Sequence, residues 1–223
     1  PINIIMNYGE LIKSMSEPGG KIDDYSQAII EECERVAGIV RNLLSFARQD
    51  TETRRRCDIR EIVEKTLSLT HRLLYKDNIR LASSMEDDLP HIECNGQHIM
   101  QVLMNLITNA RDALNERFPG TDDNKVINIS CHTFEKNGAK WLRTIVEDYG
   151  PGIPVEIRER IFDPFYTTKP RDKGTGLGLS VSHGIIKEHG GALSVESKMG
   201  RYTRFYMDLP VDNPQPDAKI SQD

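Results

Sequence analysis

The 223-residue sequence contains no uninterrupted apolar run of membrane-spanning length. The apolar stretch GIVRNLLSFA is broken by Arg41, and no signal-peptide pattern is present. The chain begins at Pro1 in the middle of an apolar-periodic pattern, so we expect it to be a piece of a longer protein. Any membrane attachment would then come from segments of the parent protein outside these residues.

Cysteine and positive charge are also scarce. The four cysteines form no CxxC pair, which argues against a zinc site or a redox motif and favours a reducing compartment, the cytoplasm. Lys and Arg number 29 against 34 Asp and Glu, and the resulting net charge of −5 argues against a nucleic-acid-binding surface. Walker-type P-loops and protein-kinase motifs are absent.

The first fifty residues carry two apolar series at spacings of three and four. The first series comprises Ile4, Tyr8, Leu11 and Met15, and the second comprises Ile29, Cys33, Val36, Val40, Leu43 and Ala47. This spacing predicts two antiparallel helices joined by a turn at Pro18–Gly20. Two helices alone cannot bury both faces, so we expect a homodimer through residues 1–50 that forms a four-helix bundle. The alternative is packing against the C-terminal part of the same chain.

The remaining sequence predicts an α/β domain. Residues 51–56 are polar and are interpreted as a linker, residues 57–212 as the second domain, and residues 213–223 as a disordered tail. The first predicted helix runs from a capping box at Asp58 and Glu61 to about residue 75, and a strand in 78–86 and a helix over 98–115 follow it. A hairpin over 126–148, with the turn KNGA, comes next. The last predicted elements are a short helix at 154–161, a helix in 177–191 and a closing hairpin. The fold class is therefore α+β: a helical hairpin, then a sandwich of one mixed or antiparallel sheet covered on one face by helices.

Three polar residues of the 98–115 helix line up on one stripe. Asn105, Asn109 and Asp112 lie at i, i+4 and i+7, where an ordinary solvent face would use Lys, Glu or Gln. An amide oxygen suits Mg²⁺ that already carries phosphate oxygens and water. Hydrogen bonding to a neighbouring loop explains the stripe equally well.

Two glycine-rich segments follow. In EDYGPGIP, Asp148 ends a strand and precedes Gly150 and Gly152; its carboxylate could accept a hydrogen bond from an adenine amine, or the segment could be a plain turn. In DKGTGLGLS, three glycines alternate with other residues before a helix, which permits close approach of backbone amides to phosphate, although a flexible turn is the simpler interpretation. Between them, IFDPFYTTKP predicts a mobile cover with aromatic anchors, or rings that pack into the core.

The order and spacing of four segments resemble a known family. NLITNARDA, DYGPGI, DPFYTTK and GTGLGLS are similar to the N, G1, F and G2 boxes of the catalytic ATP-binding domain of sensor histidine kinases, a domain of Bergerat type in the GHKL superfamily. The resemblance covers about residues 57–212, and residues 1–50 resemble the dimerisation and phosphoacceptor region of the same proteins.

The resemblance implies ATP and Mg²⁺ as cofactors. It implies that Asn109 holds Mg²⁺, that Asn105 contacts phosphate, that Asp148 binds the adenine amine with support from Thr203, and that backbone amides near Gly176 receive the triphosphate. The full implied nucleotide site is Asn105, Asn109, Asp112, Asp148, Gly150, Gly152, Ile153, Phe165, Thr168, Lys169, Gly174, Thr175, Gly176, Leu177, Gly178, Leu179 and Thr203. Tyr149, where Asn is frequent, and Arg111–Asp112, where lysine is frequent, depart from the common pattern.

The family transfers the ATP γ-phosphoryl group to a histidine, for relay to an aspartate of a response regulator. None of the six histidines lies in the first fifty residues, so we expect the acceptor just upstream of Pro1 and none of the chain's own residues as the nucleophile. The alternatives are a related ATPase or a nucleotide-binding scaffold without kinase activity. Related ATPases carry a glutamate base where this chain has Asn105, and an amide cannot take a proton from water.

Overall fold

The computed structural model describes residues 2–47, 54–170 and 174–211, and in the second helix it describes side chains only as far as Cys33 and that of Val36. The chain divides into two compact units. One comprises Pro1–Thr51 with Ile161–Val181, and the other comprises Glu52–Arg160 with Ser182–Asp223. The predicted tail and the first half of the predicted linker, residues 51–53, lie outside the described residues. No helix within the described residues combines the length and the apolar character that a membrane span requires.

The first unit contains the predicted helical hairpin. Helix α1 spans Ile2–Met15 and helix α2 spans Lys21–Ala47. The turn between them places Gly19 at a φ of 77°, a left-handed conformation that glycine adopts without strain. The helices approach closely at Gly9, where a Cβ would lie 2.9 Å from Ile30 Cγ1.

The second unit is built on a five-stranded mixed sheet, as the sequence predicted. Its strands are β2 (Arg80–Met85), β4 (Val126–Lys136), β5 (Ala139–Asp148), β6 (Ala192–Lys198) and β7 (Tyr202–Pro210), in the order β2-β4-β5-β7-β6. Only the β2–β4 pair is parallel. Strands β1 (Arg55–Cys57) and β3 (Ile92–Cys94) form a separate antiparallel pair.

Two long helices cover one face of the sheet. Helix α3 spans Ile59–Lys76 and helix α4 spans Gly96–Arg117. Their apolar stripes and the inward side of the strands make a core of fully buried residues that includes Ile59, Leu74, Ile99, Leu103, Leu106, Leu114, Ile127, Ile129 and Leu142. Each such side chain contributes about 1.5–3 kcal/mol through burial. Helix α5 (Gly178–Glu188) adds Ile185 and Ile186.

Local signals explain where these elements begin and turn. Asn95 caps α4 by accepting hydrogen bonds from the amides of Gln97 and His98 at 3.0 and 3.2 Å. Asn137 and Gly138 both have positive φ, at 55° and 77°, as a two-residue turn between antiparallel strands requires.

Three predictions need correction. The predicted helix at 154–161 is wrong: this segment forms two 3₁₀ turns, Val155–Ile157 and Arg160–Phe162. Asp58 does cap α3, through the amide of Arg60 at 2.8 Å, but Glu61 accepts a hydrogen bond from Lys65 Nζ at 3.3 Å instead of closing a capping box. The end of the polar segment interpreted as a linker forms β1.

Candidate functional site

The polar stripe of α4 lies where its residues are partly accessible. Asn105, Asn109 and Asp112 are all half-buried, next to the fully buried apolar stripe of the same helix. Asn105 Nδ2 donates a hydrogen bond to Ser182 Oγ at 2.9 Å.

Asp148 ends β5 as a buried carboxylate. Only 3% of the residue is exposed, and Oδ1 accepts a hydrogen bond from the amide of Gly150 at 2.8 Å. Among the described residues, Oδ2 of Asp148 makes no hydrogen bond. Burial raises the pKa of Asp148 to about 7; the Gly150 amide opposes this rise, and the negative charge of Glu147 adds to it. A buried, half-satisfied acceptor of this kind is suited to a ligand that brings its own donor.

The loop after Asp148 can approach its neighbours only because it contains glycine. A Cβ on Gly150 would lie 2.7 Å from both Ala113 Cβ and Asp148 Oδ1. Gly152 has a φ of 82°, and its Cβ would lie 2.8 Å from the carbonyl oxygen of Lys198. The loop is held on its other side by the Gly200 amide, which donates to Pro151 O at 2.7 Å. At Gly150 the loop therefore packs directly against α4.

Thr203, on β7, lies next to Asp148. It pairs directly with Asp148 across the sheet and is 3% exposed. Its hydroxyl lies 3.0 Å from Ser197 Oγ, which also accepts a hydrogen bond from the Ile153 amide at 2.8 Å. Thr203, Ser197 and the Asp148 loop therefore form one hydrogen-bonded group.

The other predicted site residues belong to the first unit. Phe165 is 68% exposed with a φ of 66°, and its amide donates to Gly176 O at 2.9 Å. Gly176 has a φ of 67°, and its Cβ would lie 2.3 Å from the carbonyl carbon of Phe165. These two segments meet backbone to backbone, and the strained φ of an exposed phenylalanine is typical of functional loops. The exposure of Phe165 contradicts the alternative in which its ring packs into the core.

The glycine-rich segment leads directly into α5. Gly178 is the first residue of that helix, and Thr175 Oγ1 accepts a hydrogen bond from the Leu177 amide at 3.4 Å. A Cβ on Gly174 would lie 2.5 Å from Thr167 Oγ1. Thr168 is exposed, and Lys169, Thr175 and Leu179 are half-buried. Residues 171–173, inside the predicted mobile cover, lie outside the described residues.

The second unit thus brings together the α4 stripe, Asp148, its glycines, Ile153 and Thr203. Sequence reasoning missed three residues that hold this arrangement: Ser182, Ser197 and Arg117, whose guanidinium donates to backbone carbonyls of the loop. Ser197 could have been found, because the predicted hairpin register places it opposite Thr203. Ser182 and Arg117 act across tertiary contacts that no local pattern indicates.

Comparison with known proteins agrees with this geometry. The family model described as "Histidine kinase-, DNA gyrase B-, and HSP90-like ATPase" matches residues 94–213. The sensor kinase CckA of Brucella abortus is 37% identical over 191 residues, which are 82% of this chain and 20% of CckA.

Two solved structures share the fold. The histidine kinase ThkA, in complex with the response regulator protein TrrA, aligns with a TM-score of 0.68 at 27% identity over 95% of this chain and 58% of ThkA. Full-length ShkA, in complex with AMPPNP, aligns with a TM-score of 0.66 at 23% identity over 94% of this chain and 43% of ShkA. The chain therefore spans only part of each of these proteins.

Proposed function

Because the chain belongs to the family of histidine kinase-, DNA gyrase B- and HSP90-like ATPases, we propose that it is the catalytic core of a sensor histidine kinase. In this proposal it binds Mg·ATP and directs the γ-phosphoryl group to a histidine of the parent protein, for relay to an aspartate of a response regulator. Residues 1–50 form the dimerisation hairpin and residues 57–212 the ATP-binding domain.

The observation that carries the proposal is the buried carboxylate of Asp148. Its Oδ2 has no hydrogen-bond donor among the described residues, and Gly150 and Gly152 let the loop beside it pack closely against Ala113 and Lys198. The exocyclic amine of adenine supplies the missing donor. Thr203 and Ile153 border the same place and complete the adenine pocket in our proposal.

For the charged end of the nucleotide, the proposal rests on the chemistry of the individual residues. Asn109 offers a neutral oxygen ligand for Mg²⁺, and Asn105 and Asp112 flank it on the same helix face. Backbone amides of Gly174, Gly176 and Gly178, at the beginning of α5, donate to phosphate, and Lys169 adds positive charge. Phe165, Thr168, Thr175, Leu177 and Leu179 form the cover. When bound, ATP would supply the transferable phosphoryl group, and Mg²⁺ would neutralise negative charge on the phosphate oxygens.

A dedicated ATPase is the less favoured function because Asn105 cannot act as a general base. Its amide has no proton-accepting nitrogen, and its nitrogen already donates to Ser182. The general base that related ATPases carry at this position is therefore replaced here by a group that cannot accept a proton from water.

We further propose that a second copy of the chain covers the helical hairpin. Large apolar side chains are exposed along α1 and α2, among them Ile4 (60%), Tyr8 (63%), Leu11 (55%), Met15 (83%), Ile22 (60%) and Tyr25 (66%). Two hairpins together would bury these faces as a four-helix bundle. The ThkA complex with TrrA supports a response regulator as the other partner.

Isothermal titration calorimetry with Mg·AMPPNP tests nucleotide binding. We expect saturable heat for the wild-type chain, and loss of that heat in Asp148→Ala and Asn109→Ala. Asp88→Ala, an exposed carboxylate outside the site, is the matched control and should bind as the wild type does. Unchanged heat in Asp148→Ala would contradict the proposal.

With labelled ATP, the 223-residue chain should form no phosphohistidine, whereas rapid release of free phosphate would favour an ATPase instead.

A further inference from the structure

Arg117 reaches from the end of α4 to the loop that follows Asp148. Its Nη1 donates to the carbonyl oxygens of Tyr149 at 2.7 Å and Gly150 at 2.9 Å. The side chain is half-buried, and its guanidinium carbon lies 4.9 Å from the ring centroid of Phe118. The arginine is therefore fixed both by its hydrogen bonds and by an aromatic neighbour.

These bonds act on the peptide group that also serves Asp148. The carbonyl of Tyr149 and the amide of Gly150 belong to one rigid plane. Arg117 binds the oxygen of that plane, while the Gly150 N–H donates to Asp148 Oδ1 at 2.8 Å. A rotation of the plane would break both bonds at once.

We infer that Arg117 is a positioning residue for nucleotide binding, because it holds the Tyr149–Gly150 peptide in the orientation that fixes the Asp148 carboxylate. This inference rests on the proposed function, in which Asp148 binds adenine. Asp148 then presents Oδ2 to the ligand while Oδ1 stays occupied. Without Arg117, the carboxylate gains freedom that each binding event must remove.

The same bonds tune the acidity of Asp148. A cation on the carbonyl oxygen polarises the peptide and makes its N–H a stronger donor to the carboxylate. The negative charge of the neighbouring Glu147 raises the Asp148 pKa. Arg204, on β7, pairs with Glu147 at 2.7 Å. Thr203, opposite on β7, is uncharged. Loss of Arg117 should therefore raise the Asp148 pKa further above its value of about 7.

Arg80 provides a matched control for a merely structural role. It also donates from its guanidinium to a loop carbonyl, that of Asp123 at 2.6 Å, and it lies outside the candidate site. Arg80→Gln and Arg117→Gln both remove an arginine–backbone contact from the same compact unit. Only Arg117→Gln should affect Asp148.

The first measurement is a ¹³C-carboxyl NMR titration of Asp148 in the nucleotide-free chain. We expect the titration to move to higher pH in Arg117→Gln and to stay in place in Arg80→Gln. The second is calorimetry with Mg·AMPPNP between pH 6 and 8. Arg117→Gln should bind about tenfold more weakly, as expected for loss of a charge-assisted hydrogen bond, and Arg117→Lys should recover part of the affinity.

Two results would overturn the inference. One is an Asp148 titration and a nucleotide affinity in Arg117→Gln that match the wild type. The other is an equal loss of affinity in Arg80→Gln, which would indicate a general loss of stability. If the wild type binds no nucleotide, the proposed function fails together with the positioning role. If the wild type binds nucleotide and Arg117→Gln binds it equally well, this inference fails alone.

Discussion

Replacement of Asp148 by Asn should make the nucleotide-free protein more stable and should abolish nucleotide binding. Asn has the same shape, and its Oδ1 can still accept the hydrogen bond from the Gly150 amide. It carries no charge, so it avoids the cost that burial imposes on the carboxylate. Its amide nitrogen would face the amine of adenine donor to donor.

The magnitude follows from the difference between the folded and unfolded pKa. Burial raises the Asp148 pKa from 3.8 to about 7. A raised pKa means that the carboxyl group contributes full stability below pH 3.8 and that this contribution is lost as pH rises through 7. At about 1.36 kcal/mol per pKa unit, the rise in pKa corresponds to about 4 kcal/mol of unfolding free energy. About 2–3 kcal/mol of this is lost between pH 5 and pH 8.

Urea denaturation at pH 5 and pH 8 measures this effect. We expect the free energy of unfolding of Asp148→Asn, relative to the wild type, to increase by about 2–3 kcal/mol from pH 5 to pH 8. The comparison of two pH values cancels any constant cost of the buried amide. Asp88→Asn, at an exposed position, should give no such increase. If the free energies of unfolding of Asp148→Asn and the wild type change in parallel between the two pH values, burial does not raise the pKa of Asp148 as described above.

Two further predictions concern the hairpin and the loop. Leu11→Glu places a charge on the exposed apolar face of α1, so multi-angle light scattering should detect a monomer in place of the dimer. Asn3→Glu, at an exposed polar position of α1, should leave the dimer intact. A dimeric Leu11→Glu chain would contradict the proposed bundle. Gly152→Ala and Gly200→Ala both place alanine at positive φ, at 82° and 68°, and each should lose about 1 kcal/mol of unfolding free energy. Gly152→Ala should lose more, together with AMPPNP affinity, because only its Cβ meets a carbonyl, at 2.8 Å; equal losses in the two variants would refute the steric argument.

Periodic elements could be predicted from the sequence because their side chains repeat the geometry of the backbone. The apolar spacing predicted a helix over 98–115, and α4 spans Gly96–Arg117. The alternation on either side of KNGA predicted a hairpin, and β4 and β5 pair through it in full register. The helix begins earlier than predicted because Asn95 caps it before the apolar pattern begins.

Short or irregular segments could not be predicted because they offer too few repeats. Strand β1 consists of Arg55, Arg56 and Cys57, which show no alternation, and it exists only through its pairing with β3. The polar and charged residues of 154–161 fit a helix by composition, but the segment forms two 3₁₀ turns of three residues each. For β1, the tertiary pairing with β3 decides the structure.

The candidate site divides in the same way. Asn105 and Asn109 could be placed on one face from their spacing alone. The pairing of Thr203 with Asp148 could not be predicted in this way, because β5 and β7 belong to two different hairpins. The hydrogen bonds from Arg117 could not be predicted, since they join residues more than thirty positions apart through backbone atoms.

A single helix carries Asn105, Asn109, Asp112 and Arg117, and its two ends are fixed by partners in other elements. At its beginning, the backbone N–H of Asn95 donates a hydrogen bond to His189 Nε2 at 3.0 Å. At its end, Arg117 binds the loop at 2.7 Å. An α-helix turns by about 100° for each residue. Insertion or deletion of one residue between these anchors would rotate the two parts of the helix relative to each other by more than a quarter of a circle. The asparagines would then point in a new direction relative to one of the anchors, so α4 can vary in composition far more readily than in length.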